Sequence, residues 1–138
     1  MQAVDTNVLV RMMVGDDPKQ TEIASNLLRS RIVGGRRVEY LVPDSVVLEC
    51  LWVLRANYGM QPPKIAAALR GVFGLPTVKL RNPEMIARAL DLYEDGMDAG
   101  DAMHLANVER SCDELITFDK TFVKRAKARS PCRVVSPA

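Results

Sequence analysis

The sequence predicts a three-layer α/β/α fold with a central parallel sheet of four to five strands, formed by residues 1–138 as a single domain. Short apolar segments typical of buried strands alternate with amphipathic helical segments along the chain. Proline and glycine mark turns at short intervals, without an internal repeat or a low-complexity linker. With 138 residues, 48% of them hydrophobic, the chain is long enough to bury one core.

Local signals set the predicted element boundaries. Residues 3–6 form the first strand, which runs directly into a short helix. Asp17 and Pro18 provide an N-cap and a first-turn proline for the next helix, which ends near Arg31. The other predicted strands are 38–42, 77–80, 114–117 and, as an edge strand, 133–135. The other predicted helices are 43–57, 62–73, 83–93, 99–111 and 121–128.

Composition restricts the kinds of site and partner. The three cysteines lie far apart and His104 is the only histidine, so a zinc site is not expected. Any metal ion should instead be a hard divalent cation held by carboxylates. The net charge of +2 is compatible with nucleic-acid binding without requiring it. Apolar stretches fall far short of the roughly 20 residues that span a bilayer, and no signal peptide is recognisable, so we expect a cytoplasmic protein without membrane contact.

Two carboxylates stand out in apolar surroundings. Asp5 interrupts the run AVDTNVLV at the expected carboxyl end of the first strand. An isolated carboxylate there needs either solvent or a cation, although a helix N-cap role explains it equally well. Glu49 is the only charged residue in SVVLECLWVL, where helical spacing places it beside Trp52 and Val53. Its alternative explanation is a side chain that reaches solvent or pairs with an arginine.

Three further acids follow later elements. Asp98 and Asp101 open the helix in MDAGDAMHLA, and Asp119 follows the fourth strand in ITFDKTF. Each of them is explained singly as an N-cap or as a first-turn acid. Parallel strands, however, bring their carboxyl ends to one edge of a sheet, where ligand sites form. Two carboxylates about 4 Å apart repel by roughly 4 kcal/mol at an effective dielectric constant of 20, and a divalent cation relieves this repulsion.

Four segments together carry a family resemblance. They are DTNVLVR, VVLECLWVL, GDAMHLA and LITFDKTF, in this order and over nearly the whole chain. The chain resembles PIN-domain ribonucleases of the VapC type, the toxins of type II toxin–antitoxin pairs. The resemblance implies an endoribonuclease that hydrolyses phosphodiester bonds of RNA, single-stranded or in exposed loops, and leaves 5′-phosphate and 3′-hydroxyl ends.

The resemblance also implies the site and its cofactor. One or two Mg²⁺ or Mn²⁺ ions would be held by Asp5, Glu49, Asp101 and Asp119, with Asp98 as a further ligand or only a helix cap. Thr6, Asn7 and Thr117 would orient the ligands or a water molecule. Because clustered acids repel a polyanion, basic side chains should lie nearby, and Arg11 and Lys120 are the candidates for substrate binding.

Partners and competing functions follow from the same comparison. VapC-type proteins form dimers and are inhibited by a small VapB-like antitoxin, so a homodimer and an antitoxin partner are expected. Trp52, Met12, Met13 and Met103 are assigned to packing or to an interface. One alternative function is a catalytically silent PIN-like module that binds RNA or protein. Another is an aspartyl-nucleophile phosphatase, which would need an aspartate where this chain has Asn7.

Overall fold

A computed structural model describes residues 1–29 and 31–137. The chain divides into two compact units, Met1–Asn82 and Pro83–Ala138. Helices alternate with short strands, and the sheet of the first unit is parallel, so the predicted three-layer α/β class is confirmed. That residues 1–138 act as a single domain stays a prediction.

The first unit is built around a parallel sheet. Its elements are β1 (Gln2–Ala3), α1 (Thr6–Val14), α2 (Pro18–Leu28), β2 (Ile32–Val33), β3 (Arg36–Arg37), β4 (Tyr40–Leu41), α3 (Asp44–Ala56), α4 (Pro62–Phe73) and β5 (Val78–Lys79). The sheet has the order β1-β4-β5, and Tyr40 pairs with Gln2 on one side and Val78 on the other. It therefore contains three strands within the described residues, and the predicted four to five are too many.

Strand β1 is also displaced from its predicted position. It ends at Ala3, and α1 already begins at Thr6, so Asp5 is the N-cap residue rather than part of the strand. Val4 connects the two elements and is buried. The sequence correctly predicted a direct passage from strand to helix, which places Asp5 just beyond the carboxyl end of β1.

Strands β2 and β3 form an antiparallel hairpin that was not predicted. Ile32 pairs with Arg37 and Val33 with Arg36. The two residues between the strands, Gly34 and Gly35, have φ angles of 59° and 76°. Two successive positive φ angles define the tight turn that joins twisted strands, and glycine adopts them without steric cost. The sequence predicted only a chain break at these glycines.

The second unit contains three helices and a strand pair. Its elements are α5 (Pro83–Glu94), α6 (Ala99–Val108), β6 (Glu114–Ile116), α7 (Lys120–Ala126) and β7 (Arg133–Val135). Strands β6 and β7 are parallel, with Leu115 paired to Val134. Both strands were predicted, the first one residue longer than it is, but they pair with each other in a two-stranded sheet.

Aliphatic side chains fill the core of each unit. In the first, Leu9 of α1, Leu51 of α3 and Leu69 of α4 are fully buried. In the second, α5 packs against α6, and Leu92 and Leu105 are buried there. Burying such side chains contributes about 1.5–3 kcal/mol each, so these contacts hold the helices that carry the candidate acids.

Trp52 does not belong to this core. Its side chain is 68% exposed, so Trp52 does not pack in the core and the alternative, an interface, stays a prediction, whereas Met103 is buried as predicted. Leu51 and Leu54 take the buried side of α3, and Trp52 lies between them in sequence on the opposite side. Hydrophobicity alone does not reveal which side of an apolar helix meets solvent.

Candidate active site

Asp5 is fixed by the start of α1. Its carboxylate oxygen Oδ1 accepts a hydrogen bond of 2.7 Å from the backbone N–H of Thr6. The side chain is exposed, and the bond leaves the second oxygen for another partner. Capping therefore holds the carboxylate in one orientation without consuming it.

Glu49 lies near Asp5 in a pocket of about 220 Å³. We call it the N-terminal acid pocket; its lining includes Asp5, Thr6, Asn7, Arg11, Glu49 and Tyr58. The pKa of the neighbouring Cys50 thiol is affected by the negative charges of this pocket. Burial raises the pKa of Cys50 to about 12, and the negative charges of Glu49 and Asp5 contribute to the rise. The structure thus brings the first two predicted acids together.

The polar neighbours of Asp5 differ in environment. Thr6 is 5% exposed, and its hydroxyl oxygen has no hydrogen-bond partner among the described residues. Asn7 is exposed and also lines the N-terminal acid pocket. A buried hydroxyl without a partner is costly, so this position is suited to a water or ligand atom. That Thr6 and Asn7 orient the metal ligands or a water molecule stays a prediction.

Arg11 is held at the N-terminal acid pocket by a hydrogen-bond network. Its Nη1 donates to Asp16 Oδ1 at 3.1 Å and to the hydroxyl of Tyr58 at 3.3 Å, and its Nε donates to Gln20 at 2.6 Å. The Tyr58 hydroxyl donates in turn to Asp16 Oδ2 at 3.1 Å. The hydrogen bond to Tyr58 and the charge of Asp16 raise the pKa of Arg11. Nη2 makes no hydrogen bond to the described residues, so it can contact a phosphate.

Sequence reasoning missed Tyr58 and Asp16 as site residues. Tyr58 follows α3 and is 47 positions from Arg11, a distance over which no local pattern operates. Asp16 precedes the N-cap Asp17 in a loop, where an exposed acid is ordinary and does not indicate a functional site. No local pattern of the sequence therefore pointed to either residue.

The acids of the second unit surround the start of α6 and of α7. Asp98 caps α6, and its Oδ2 accepts from the backbone N–H groups of Gly100 at 3.0 Å and Asp101 at 3.3 Å. Asp119 caps α7, with Oδ1 accepting from Thr121 at 2.9 Å and Phe122 at 3.1 Å. The capping explanation offered for both residues is therefore correct, and it leaves one oxygen of each carboxylate for other partners.

Asp101 and Asp119 line a second pocket of about 570 Å³, the C-terminal acid pocket. His104, Asn107 and Thr117 also line it. The hydroxyl of Thr117 accepts a 3.0 Å hydrogen bond from the backbone N–H of Asp119, so Thr117 fixes the loop that carries this acid. Sequence reasoning did not assign His104 or Asn107 to the site. Their spacing of three and six residues from Asp101 on one helix was the available signal.

The negative charges in the second unit act on Asp101. Burial raises the pKa of Asp101, the charges of Asp98 and then Asp119 raise it further, and His104 opposes the change. Asp98 therefore acts on Asp101 electrostatically as well as capping α6. Lys120 is exposed at the start of α7 and adjoins Asp119 in sequence, and its predicted substrate contact stays a prediction.

We expect Asp101→Asn to raise the free energy of unfolding of the metal-free protein at pH 7. A carboxyl whose pKa is raised in the folded state binds protons more readily there than in the unfolded chain. Stability is therefore lost as pH rises from the ordinary aspartate pKa of about 3.9 through the raised value. The helix dipole favours an acid in this turn, so the expected gain requires that burial and the charges of Asp98 and Asp119 outweigh it.

Urea denaturation in EDTA measures this difference at two pH values. The gain from Asp101→Asn should shrink as the pH falls towards about 4, where both forms of the protein carry a neutral group at this position. A variant that is less stable than the wild type at pH 7 and gains relative stability on acidification would contradict the prediction.

The oxygen donors in both pockets fit a hard divalent cation. The N-terminal acid pocket offers two carboxylates and the amide of Asn7, and the C-terminal acid pocket offers the carboxylates of Asp101 and Asp119. Oxygen ligands completed by water suit Mg²⁺ or Mn²⁺. Within residues 1–29 and 31–137, no three His, Cys, Asp or Glu side chains form a group arranged to hold a metal ion.

Comparison with known proteins identifies the family. The PIN domain family model matches residues 3–128, a segment that includes all five candidate acids. No curated protein matches the chain significantly. PIN domains are generally nucleases that use divalent metals, and RNA binding is typical of them, so the match indicates a nuclease-type hydrolase. No helix in the described parts of the chain is long and apolar enough to cross a bilayer. The extent of the match, nearly the whole chain, establishes that the protein belongs to the PIN domain family.

Proposed function

We propose that the protein is an endoribonuclease dependent on Mg²⁺ or Mn²⁺ that hydrolyses phosphodiester bonds in RNA. The observation that carries the proposal is the pairing of acids in each unit, Asp5 with Glu49 and Asp101 with Asp119. The raised pKa of Asp101 supports it, because the neighbouring charges would favour a bound cation. We further propose that residues 1–138 act as one domain in which both acid pairs serve the same reaction, since one family match spans them.

The chain's own residues would hold and orient the reactants. Asp5 with Glu49, and Asp101 with Asp119, would bind one or two cations, with Asp98 contributing through its charge on Asp101. A divalent cation, when bound, supplies charge neutralisation on the phosphate and makes water more acidic. One of the carboxylates would accept the proton of the attacking water. Asp5 and Asp119 each use only Oδ1 for the helix cap, which leaves the second oxygen for such a role.

The basic and hydroxyl side chains complete the proposal. Nη2 of Arg11 would donate to a phosphate oxygen while Asp16 and Tyr58 hold the rest of the guanidinium. Lys120 would contact the RNA backbone near Asp119. Thr6, Asn7 and Thr117 would orient water or the acids, of which the hydrogen bond from Asp119 to Thr117 is one example.

We also propose that the protein is the toxin of a VapBC-type pair in the cytoplasm. The support is the resemblance of four separate segments to VapC-type proteins, in the same order along the chain. An RNA-cleaving toxin requires inhibition in its own host, which a small VapB-like antitoxin would provide, and a homodimer is the expected form. Growth arrest on induced expression, absent with Glu49→Gln, would support the toxin role.

Cleavage of defined single-stranded RNA tests the enzyme activity. The purified protein should cut with Mn²⁺ or Mg²⁺, stop in EDTA, and leave 5′-phosphate and 3′-hydroxyl ends. Glu49 is exposed, so Glu49→Gln should fold normally and lose cleavage. Calorimetric titration with Mn²⁺ gives an independent readout, because the variant should bind the ion more weakly. Failure of the wild type both to cut any RNA and to bind the metal would overturn the proposal in favour of a binding module.

A further inference from the structure

Two side-chain oxygens of the first unit are buried without a hydrogen-bond partner among the described residues. They are Oγ1 of Thr6 and Oδ1 of Asp44. Thr6 is 5% exposed, and Asp44 is half-buried. Buried polar groups in proteins are almost always hydrogen-bonded to the protein or to ordered water. Two orphaned oxygens in one unit therefore indicate a binding position.

The strand register places Thr6 and Asp44 side by side. Strands β1 and β4 are parallel, and Ala3 of β1 pairs with Leu41 of β4. Thr6 and Asp44 each lie three residues beyond this pair. Each is also the first residue of the helix that follows, α1 or α3, and these two helices pack against each other. Adjacent strands are about 4.8 Å apart, so equivalent positions just beyond their ends are neighbours.

Asp44 does not act as a helix cap. The aspartates at the start of other helices, such as Asp5 and Asp119, accept hydrogen bonds from backbone N–H groups of the first turn. Oδ1 of Asp44 accepts none, although Asp44 opens α3. The helix dipole explains a first-turn acid, but it acts equally on an exposed carboxylate. The burial of Oδ1 therefore indicates a partner other than the helix.

A bridging water molecule fits both oxygens. A carboxylate oxygen only accepts hydrogen bonds, whereas a hydroxyl both donates and accepts, so one water can donate to Asp44 and bond to Thr6 as well. The two oxygens make no direct hydrogen bond to each other. Water that bridges two such groups is nearly as favourable in enthalpy as a direct hydrogen bond. One bound water would thus satisfy both orphaned atoms.

The same bridge would connect Asp44 to the N-terminal acid pocket. Thr6 lines this pocket, and its backbone N–H donates the 2.7 Å hydrogen bond to Oδ1 of Asp5. A Thr6 side chain held through its hydroxyl fixes the first residue of α1, and with it the N–H that orients Asp5. Groups that hold a metal ligand in this way change metal affinity although they do not touch the ion.

We propose that Thr6 and Asp44 bind one water molecule between them, and that Asp44 is thereby a positioning residue for Asp5. The water site stands on the two buried oxygens alone. The positioning role rests on the proposed function, in which Asp5 holds a divalent cation. Asp44 lies outside the set of candidate metal ligands and their predicted polar neighbours, so it adds a residue to the site.

A double-mutant cycle in EDTA tests the water site in the absence of divalent metal. Thr6→Val and Asp44→Leu should each raise the equilibrium constant of unfolding by roughly 5- to 100-fold in urea denaturation, because each leaves the other oxygen buried and unpaired. The double variant leaves neither oxygen unpaired. Its loss should therefore be clearly smaller than the product of the two single losses. Losses that multiply would overturn the shared water site.

Two control variants separate the bridge from other effects. Asp44→Asn removes the charge but keeps an acceptor oxygen, so it should destabilise the protein much less than Asp44→Leu. An equal loss in both would assign the effect to charge and contradict the water site. Glu84→Leu removes another first-turn acid, from α5, where it pairs with Arg110. Its loss should multiply with that of Thr6→Val, since the two residues share no partner.

Calorimetric titration with Mn²⁺ tests the positioning role, under conditions in which urea denaturation shows each variant to be folded. Thr6→Val and Asp44→Leu should each weaken Mn²⁺ binding by roughly 10- to 100-fold, the range for residues that hold metal ligands in place. Thr6→Ser keeps the hydroxyl and should bind Mn²⁺ nearly as the wild type does, and so should Glu84→Leu. Unchanged Mn²⁺ affinity in Thr6→Val and Asp44→Leu would leave them a purely structural role and overturn the positioning of Asp5.

The remaining outcomes separate this inference from the ribonuclease proposal. RNA cleavage at the wild-type rate by Asp44→Leu would overturn its positioning role and leave the nuclease intact. A wild-type protein that neither binds Mn²⁺ nor cuts RNA would overturn the nuclease and the positioning role together, while the cycle in EDTA still decides the water site. Coupling of Thr6 with Asp44 that appears only with Mn²⁺ or Mg²⁺ present would indicate a shared cation and overturn the water site.

Discussion

Asp5→Asn is expected to abolish RNA cleavage while leaving the fold intact. The loss of a carboxylate that holds the cation removes several kcal/mol of transition-state stabilisation, which corresponds to roughly 100- to 1,000-fold in rate. Asparagine still accepts the hydrogen bond from the N–H of Thr6, because its side-chain carbonyl caps helices as well as aspartate does. The free energy of unfolding should change by less than about 1 kcal/mol.

Asp17→Asn is the matched control for this prediction. Asp17 also caps a helix, α2, where its Oδ1 accepts from the N–H of Gln20, three residues on, at 3.0 Å. It does not line either acid pocket, so this variant should cut RNA at the wild-type rate. Initial cleavage rates with Mn²⁺, measured beside urea denaturation, compare the two variants. Equal rates in both would show that the charge of Asp5 has only a structural role.

The double variant Asp5→Asn/Asp101→Asn should be no less active than the worse of its two single variants. When residues act as a unit in one reaction, replacing any one of them removes most of the rate enhancement that they share. A second substitution therefore lowers the cleavage rate little further. Each single variant should lose roughly 100-fold or more in rate. The comparison tests whether acids from both units serve one reaction.

Rates for the wild type, both single variants and the double variant complete the cycle. Losses that multiply, to a total of roughly 10,000-fold or more, would show that the two acids contribute independently to the rate, contrary to this prediction, whereas a wild-type rate for either single variant would contradict the proposal that both units serve one reaction. Asp17→Asn in the Asp101→Asn background is the control, because it adds a second substitution of the same kind outside the acid pockets.

Local chemistry explains which elements could be predicted from the sequence. The helix Pro62–Phe73 has the predicted bounds, and α2 begins at Pro18 behind the cap Asp17, because prolines and capping side chains act within a few residues. The pairing of strands depends on contacts across the chain. Nothing within 114–117 or 133–135 specifies that these strands join each other rather than the sheet of β1, β4 and β5.

The candidate site was predictable to a similar extent. The sequence indicated the acids because they follow strands, open helices or lie on an apolar helix. In the structure Asp5 and Glu49 line one pocket, and Asp101 and Asp119 line another. The network that holds Arg11 was not predictable, since Tyr58 reaches it from 47 positions away. The exposure of Trp52 also depends on which side of α3 the rest of the fold covers.

The candidate acids fall into two classes, those that cap a helix and those that do not, and the two classes should differ in how freely they are replaced during evolution. Asp5, Asp98 and Asp119 cap helices, so selection for stability alone would keep aspartate, asparagine, serine or threonine at these positions after loss of catalysis. Glu49 and Asp101 accept no hydrogen bond from the described residues, and the fold gains nothing evident from their charge. Drift at Glu49 and Asp101 would therefore be the earliest mark of a relative that has ceased to be a nuclease.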